Sequence, residues 1–397
     1  MIPRRRAHGL VGEWNTIARG LQGSLALRPE LVGEWERAVA DYVGMPHGAA
    51  VNSGRRGMSL IFEHLGIGEG DEVIVPAYTL GDLLPLVEQH GAKAVPADID
   101  RHTLNVTPES IGRRISPRTK AVLALHAFGM PCPIEAIQSI CERKGLPLIE
   151  DCAHSLGATV GERQTGSFGY AGFYSFEATK PVSTFGGGLV VSRDKALIDR
   201  IHGCTAEDAE DLSSVEKKAK STRTEQRLFD TGLAFPFLFL LAMPQLKGLM
   251  NKVYRSTFHA PPATIRYAPL QAHLGLGKLP DLAQRIERRN GHAALYRDLL
   301  DSRIRMQPIG GETRSTWYFL VATVPGDAVR IRRRLLLRGV DAGTREEIAD
   351  DCAALLGYDD CPAVAEVYAR AVNLPMYDGL EEHDIHRVAA AINALIG

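Results

Sequence analysis

Between residues 47 and 191 of this 397-residue chain, short apolar runs alternate with stretches of helical periodicity, and no other feature narrows the fold so far. Runs at 49–51, 72–75, 94–97, 121–125, 147–149, 172–175 and 188–191 read as strands. Helical spacing fills 54–65, 82–90, 108–115 and 134–145, and Leu31, Val32, Trp35, Val39 and Val43 mark an earlier helix after Pro29. Such alternation describes an α/β fold with a mainly parallel sheet flanked by helices. Ligands of these sheets bind beyond the carboxyl ends of the strands. Ser53, Asp151 and Ser175 each stand at or just past such an end.

We expect a large domain over 1–260, containing an insert-like segment at about 205–262, and a smaller C-terminal α/β domain over 261–397. The second domain should carry a long helix from Arg266 through Arg289 and Tyr296, a strand at 317–324 and a terminal helix near 384–395.

A formal net charge of -1 gives no field to recruit nucleic acid. Six dispersed cysteines without a CxxC pair read as reduced thiols. Arg4-Arg5-Arg6 has the charge of a secretory leader, but residues 7–13 supply no apolar core, so a cytoplasmic protein is expected. The run from Leu233 to Met243 is about half the ~20 residues that span a bilayer, and Pro236 interrupts it. Its burial could come from a subunit interface, a lid over a bulky acceptor, or peripheral membrane contact, where Lys247, Lys252 and Arg255 would suit an interfacial helix.

Chemistry concentrates in two stretches, Ile149-Glu150-Asp151-Cys152-Ala153-His154 and Ser175-Phe176-Glu177-Ala178-Thr179-Lys180, the second followed by Gly186-Gly187-Gly188. Pyridoxal 5′-phosphate demands an amine for its aldehyde, a carboxylate for its ring nitrogen and donors for its phosphate. Lys180, Asp151 and Ser175 supply them. Ser53 and Gly54 open a helix, where amides and dipole favour an anion. Arg55 and Arg56 either add charge there or project from an exposed face. A lone lysine after a strand is ordinarily a surface residue; here its surroundings reverse that reading. His126 is either a site residue or a satisfied core histidine. His202, His259 and His273 have no metal-ligand spacing, and no metal site is expected.

With these residues in view, the chain resembles the DegT/DnrJ/StrS-type pyridoxal-phosphate-dependent sugar aminotransferases, of the aspartate-aminotransferase (type I) fold, over nearly its whole length. The resemblance rests on Asn52-Ser53-Gly54, Gly70-Asp71-Glu72-Val73-Ile74-Val75-Pro76, Glu150-Asp151-Cys152-Ala153-His154, the Lys180 motif, Leu270-Gln271-Ala272 and Leu374-Pro375-Met376-Tyr377. It implies a homodimer with shared active sites, glutamate as usual amino donor and a keto-sugar nucleotide or cyclitol ketone as acceptor. His154 is implied to contact the cofactor ring. Other readings are a sugar dehydratase of the same fold, against which Lys180 argues, and a cofactor-binding protein without turnover.

Four departures accompany the resemblance. Leu80 occupies the slot of an aromatic that stacks on the cofactor; Tyr78 either substitutes or is a core aromatic. Thr264 stands where the partner subunit of relatives offers an asparagine to the phosphate, two residues before Arg266. Residues 341–345 replace a histidine-bearing stretch associated with sugar nucleotides. The 205–262 segment is longer than usual.

Overall fold

The structure, a computed structural model, describes residues 1–233 and 265–396. Among them a seven-stranded sheet runs in the order His47–Val51, Gly188–Ser192, Ala171–Ser175, Leu148–Asp151, Thr119–Leu125, Glu72–Pro76, Lys93–Ala97. The five strands from Ala171–Ser175 to Lys93–Ala97 pair in parallel; Gly188–Ser192 runs antiparallel to both its neighbours. That one reversal matters to the site. It starts Gly188 at the edge where the parallel strands end.

Helices cover both faces, as near-continuous apolar strands require. Met58, Leu60, Ile61 and Phe62 of helix Gly54–His64 pack with Val73, Leu123 and Phe173 on one face. Ile134, Ile137 and Cys141 of helix Ile134–Lys144 pack with Val122, Ala124 and Leu148 on the other. Each fully buried large apolar side chain contributes roughly 1.5–3 kcal/mol.

A second sheet is wholly antiparallel, ordered Arg305–Met306, Leu320–Thr323, Ala371–Leu374, Gly343–Thr344. Its core also takes in Ile2, whose amide reaches the Gly339 carbonyl at 2.8 Å. The first residues of the chain therefore pack beside the second sheet. Conversely, Tyr267, Ala272, Leu282 and Ile286 pack around Trp35 of helix Leu31–Val43. The boundary expected near residue 260 lies outside the described residues.

The single long helix expected from Arg266 is two, Pro269–Lys278 and Leu282–Leu299. Pro280 sits at the break, lacking the N–H that would continue the first helix. The charged tract after residue 205 folds into helix Ser213–Asp230, whose Val215 and Ala219 pack on Phe185. Of the apolar run 233–243, only Leu233 is described, and it is exposed. No helix among the described residues is long and apolar enough to cross a membrane.

Candidate active site

The carboxyl edge of the large sheet collects most of the expected residues. Ser53 ends the turn after His47–Val51 and caps helix Gly54–His64, its side chain accepting from the Arg56 amide at 3.2 Å. It bridges Gly187, whose amide donates to the Asn52 carbonyl at 3.0 Å. Ser175 pairs with Gly188 across the adjoining strands. A Cβ on Gly54 would lie 3.6 Å from the Ser175 Cβ, so these hydroxyl-bearing residues share one corner. Only glycines fit there. A Cβ on Gly188 would come within 2.5 Å of the Gly54 nitrogen and 2.6 Å of the Tyr174 carbonyl, and one on Gly187, at φ 94°, within 2.2 Å of the Tyr267 ring.

Lys180, five residues after Ser175, lies against a wall of aromatic rings. It is 9% exposed, and its Nζ sits 4.4 Å from the centroid of Tyr318. Tyr318 stacks on His154 with centroids 4.4 Å apart, and its hydroxyl is 3.1 Å from the Thr179 Oγ1. Burial alone would push the Tyr318 phenol up, but the charges of Lys180 and Arg5 and the Thr179 hydroxyl bring it below its ordinary value. Burial, helped by Lys180, pushes the His154 imidazole well down, so the ring is neutral. Its Nδ1 is buried without a hydrogen-bond partner among the described residues.

Asp151 ends its strand nearly buried and accepts the Ala153 amide at 2.9 Å. Burial pushes its carboxyl above the usual range, opposed by that amide and by Lys180 and His126. Glu150, passed over at the sequence level, is fully buried and ties down the turn between the two motifs. It accepts the amides of Gly166, Phe168 and Gly169 at 2.7–2.8 Å. His126 Nδ1 accepts the Cys132 amide, which leaves Nε2 to donate to Glu150 at 3.1 Å. His126 is thus a satisfied core histidine. With Cys152 it forms a compact trio of possible ligands, but both its nitrogens and both Glu150 oxygens are already engaged.

Sequence reasoning also missed how the lysine loop is held. Arg285 donates to the Pro181 carbonyl at 2.8 Å and pairs with Asp378 at 3.1 Å. Lys278 donates to the Ser183 carbonyl at 2.7 Å and pairs with Glu13, both side chains buried. Gln271 donates to the Gly186 carbonyl at 3.0 Å. Three carbonyls after Lys180 are therefore gripped from the two helices beside the Pro280 break. The i, i+7, i+14 spacing of 271, 278 and 285 was the available signal.

The remaining expectations fall variously. Arg55 is half-buried; burial lowers its guanidinium while Glu177 opposes, which places the Arg55 charge near the lysine loop. Arg56 instead lies 3.6 Å from Glu63 on its own helix. Tyr78 is fully buried in an apolar cluster with Phe128, and Leu80 is 39% exposed. The Tyr78 hydroxyl is buried without a hydrogen-bond partner among the described residues. Arg266 is half-exposed and pairs with Glu210 at 2.9 Å. Thr264 lies outside the described residues.

The residues present suit a pyridine aldehyde phosphate: a lysine amine against a ring wall, a buried carboxyl, an unsatisfied imidazole nitrogen and a glycine-walled corner at a helix N-terminus.

Comparison with known proteins agrees. The sequence matches the DegT/DnrJ/EryC1/StrS aminotransferase family over residues 13–393. It is 35% identical over 178 residues to GDP-perosamine synthase of Vibrio cholerae, an alignment covering 45% of this chain and 48% of that protein, so about half the length of that relative. It is 27% identical to the spore coat polysaccharide biosynthesis protein SpsC of Bacillus subtilis over 97% of this chain and 94% of that one. The crystal structure of the aminotransferase TlmJ from Streptoalloteichus hindustanus shares the fold, with a TM-score of 0.78 at 24% identity over 99% of this chain and 98% of that one.

Proposed function

The chain belongs to the DegT/DnrJ/EryC1/StrS aminotransferase family, and from that premise we propose that it moves an amino group from glutamate to the ketone of a sugar, with pyridoxal 5′-phosphate as carrier. The observation that carries this reading is Lys180, buried against Tyr318 at the sheet edge where Ser53, Asp151 and Ser175 meet. Bound there, the cofactor supplies an aldehyde for the amine and a ring that spreads the charge of a deprotonated carbon.

Lys180 would anchor the cofactor and, once released, would take the proton from the donor Cα as general base and deliver it as general acid to the cofactor carbon that carried the aldehyde. Asp151 holds the ring-nitrogen proton. Burial leaves its carboxyl with a raised proton affinity, which favours a strong, shared hydrogen bond with a cationic partner. His154 contributes a neutral ring with one nitrogen to spare. Ser53, Ser175 and the first turn of helix Gly54–His64 bind the phosphate, with the Arg55 charge behind them.

The sugar acceptor rests on relatives: one is named for perosamine synthesis and another for a coat polysaccharide. Shared sites in a homodimer are an inference from the family the chain belongs to; Arg266 itself is exposed and pairs with Glu210 of its own chain. Incubating the holoprotein with glutamate and nucleotide-linked keto-sugars should release 2-oxoglutarate beyond a single equivalent per site only when both substrates are present. Steady release without any keto-sugar would sink the acceptor class.

A further inference from the structure

Of the three arginines that open the chain, two are occupied. Arg4 pairs with Glu347 at 2.9 Å, and its carbonyl accepts the Met376 amide at 3.2 Å. Arg6 pairs with Asp230 at 2.8 Å and lies over the Tyr377 ring. Beyond them Ile2 is tied to Gly339 and Asp341, and the Ala7 carbonyl accepts from Gln226 at 3.2 Å. The backbone on either side of Arg5 is thus fixed. The Arg5 side chain makes no ion pair or hydrogen bond with the described residues, and its Nε is buried without a partner. An arginine held in place yet left without an anion forgoes the fork of donors that distinguishes it from lysine.

Its surroundings say what is missing. Arg5 lines a narrow recess with Thr179, Thr222 and Glu225. Glu225 makes no ion pair with it. Thr179 precedes Lys180 and touches the Tyr318 hydroxyl at 3.1 Å, and Lys180 lies over the Tyr318 ring. Arg5 therefore shares a recess with the residue next to Lys180, and its charge acts on the Tyr318 phenol, against whose ring that amine lies. The carboxylate of an α-amino acid is bonded to the very carbon that carries its amine, so a donor reacting at Lys180 brings an anion to this neighbourhood.

We propose that Arg5 binds a carboxylate of the amino donor, and that the N-terminal segment is thereby part of the donor site. The inference rests on the aminotransferase reading. A planar guanidinium suits a carboxylate in two parallel hydrogen bonds, and its fixed backbone lowers the ordering cost of binding.

Glutarate, a dicarboxylate with no amine to transfer, tests this without turnover. Calorimetric titration of the holoprotein should give a Kd that rises about 10–100-fold in Arg5→Gln, the loss expected for charged hydrogen bonds. Arg5→Lys should fall between. The variants should keep the wild-type cofactor spectrum and melting temperature, because Arg5 has no protein partner among the described residues to lose. In steady state the donor KM should rise and the acceptor KM should not. Unchanged glutarate affinity in Arg5→Gln overturns the proposal, as does weakened binding of uridine diphosphate instead, which would give Arg5 to the acceptor. Failure of amino transfer itself would show separately, as wild-type protein that binds glutarate yet releases no 2-oxoglutarate.

Discussion

The two sides of the Lys180 site are made in opposite ways. At the glycine corner, Ser53–Gly54, Ser175 and Gly186–Gly188 come from strand ends that the sheet itself sets side by side, and backbone fills the space: a Cβ on Gly188 would collide with main-chain atoms of Ser53, Gly54 and Tyr174. On the ring side, Arg5, His154 and Tyr318 come from the chain's start, its middle and the stretch just before the strand Leu320–Thr323, and meet only through side chains. A corner made of backbone has no rotamers to lose and tolerates no substitution. A wall made of side chains is adjustable, so substrate preference can vary there while the cofactor chemistry stays the same.

That contrast can be broken at several points. Lys180→Ala removes the residue the two sides share; amino transfer should fall by several orders of magnitude, on the order of 10³ or more, with the fold retained. Near-normal turnover would dissolve the distinction altogether. On the corner, Gly188→Ala should cost about 4 kcal/mol or more, or prevent folding, because no rotamer change relieves a backbone clash. Denaturant titration measures it, and a loss under about 1 kcal/mol would mean the corner yields.

Arg285→Met probes the grip on the loop joining the two sides. It frees the Pro181 carbonyl and one partner of Asp378, but Arg289 still holds Asp378 at 2.6 Å. A loss of about 2 kcal/mol in stability is expected, together with a lower kcat at little-changed KM. A purely structural residue would move stability alone.

The smallest effect belongs to the ring wall and is one of pH. His154 is held neutral in the fold, its affinity for protons pushed well below the ordinary value of 6.5 by burial and by Lys180. As pH falls below that value the unfolded chain gains a proton that the folded chain refuses, so stability drops with acidification by up to about 1.4 kcal/mol per pH unit. His154→Gln should flatten that slope, measured by melting temperature across pH. An unchanged slope would assign the acid sensitivity elsewhere.

How much of this was legible in the sequence follows the same divide. The corner was, because each part lies in a short local motif whose strand, turn or cap is decided by its neighbours. So was the alternation behind the large sheet, since apolar runs bounded by helices leave few other arrangements. The ring wall was not. Tyr318 sits in Trp317-Tyr318-Phe319, which reads as the start of a strand; the strand begins only at Leu320, after Trp317 takes a φ of 47°. Arg5 reads as leader-like charge until the first residues are seen docked on the second sheet. The buried pair of Glu13 and Lys278 spans most of the chain, and no periodicity links such positions. Long-range pairing leaves no local trace, whereas Pro280 left a plain one that the helical spacing around it obscured.

Everything above turns on Lys180 as the residue that holds the cofactor. Borohydride reduction of the protein loaded with pyridoxal phosphate, followed by peptide mass spectrometry, tests that most directly. The account predicts a pyridoxyl-phosphate adduct on the peptide containing Lys180, lost when excess glutamate is added before the reductant. An adduct on Lys218 or Lys278 instead, or a Lys180 adduct that glutamate leaves untouched, would contradict it.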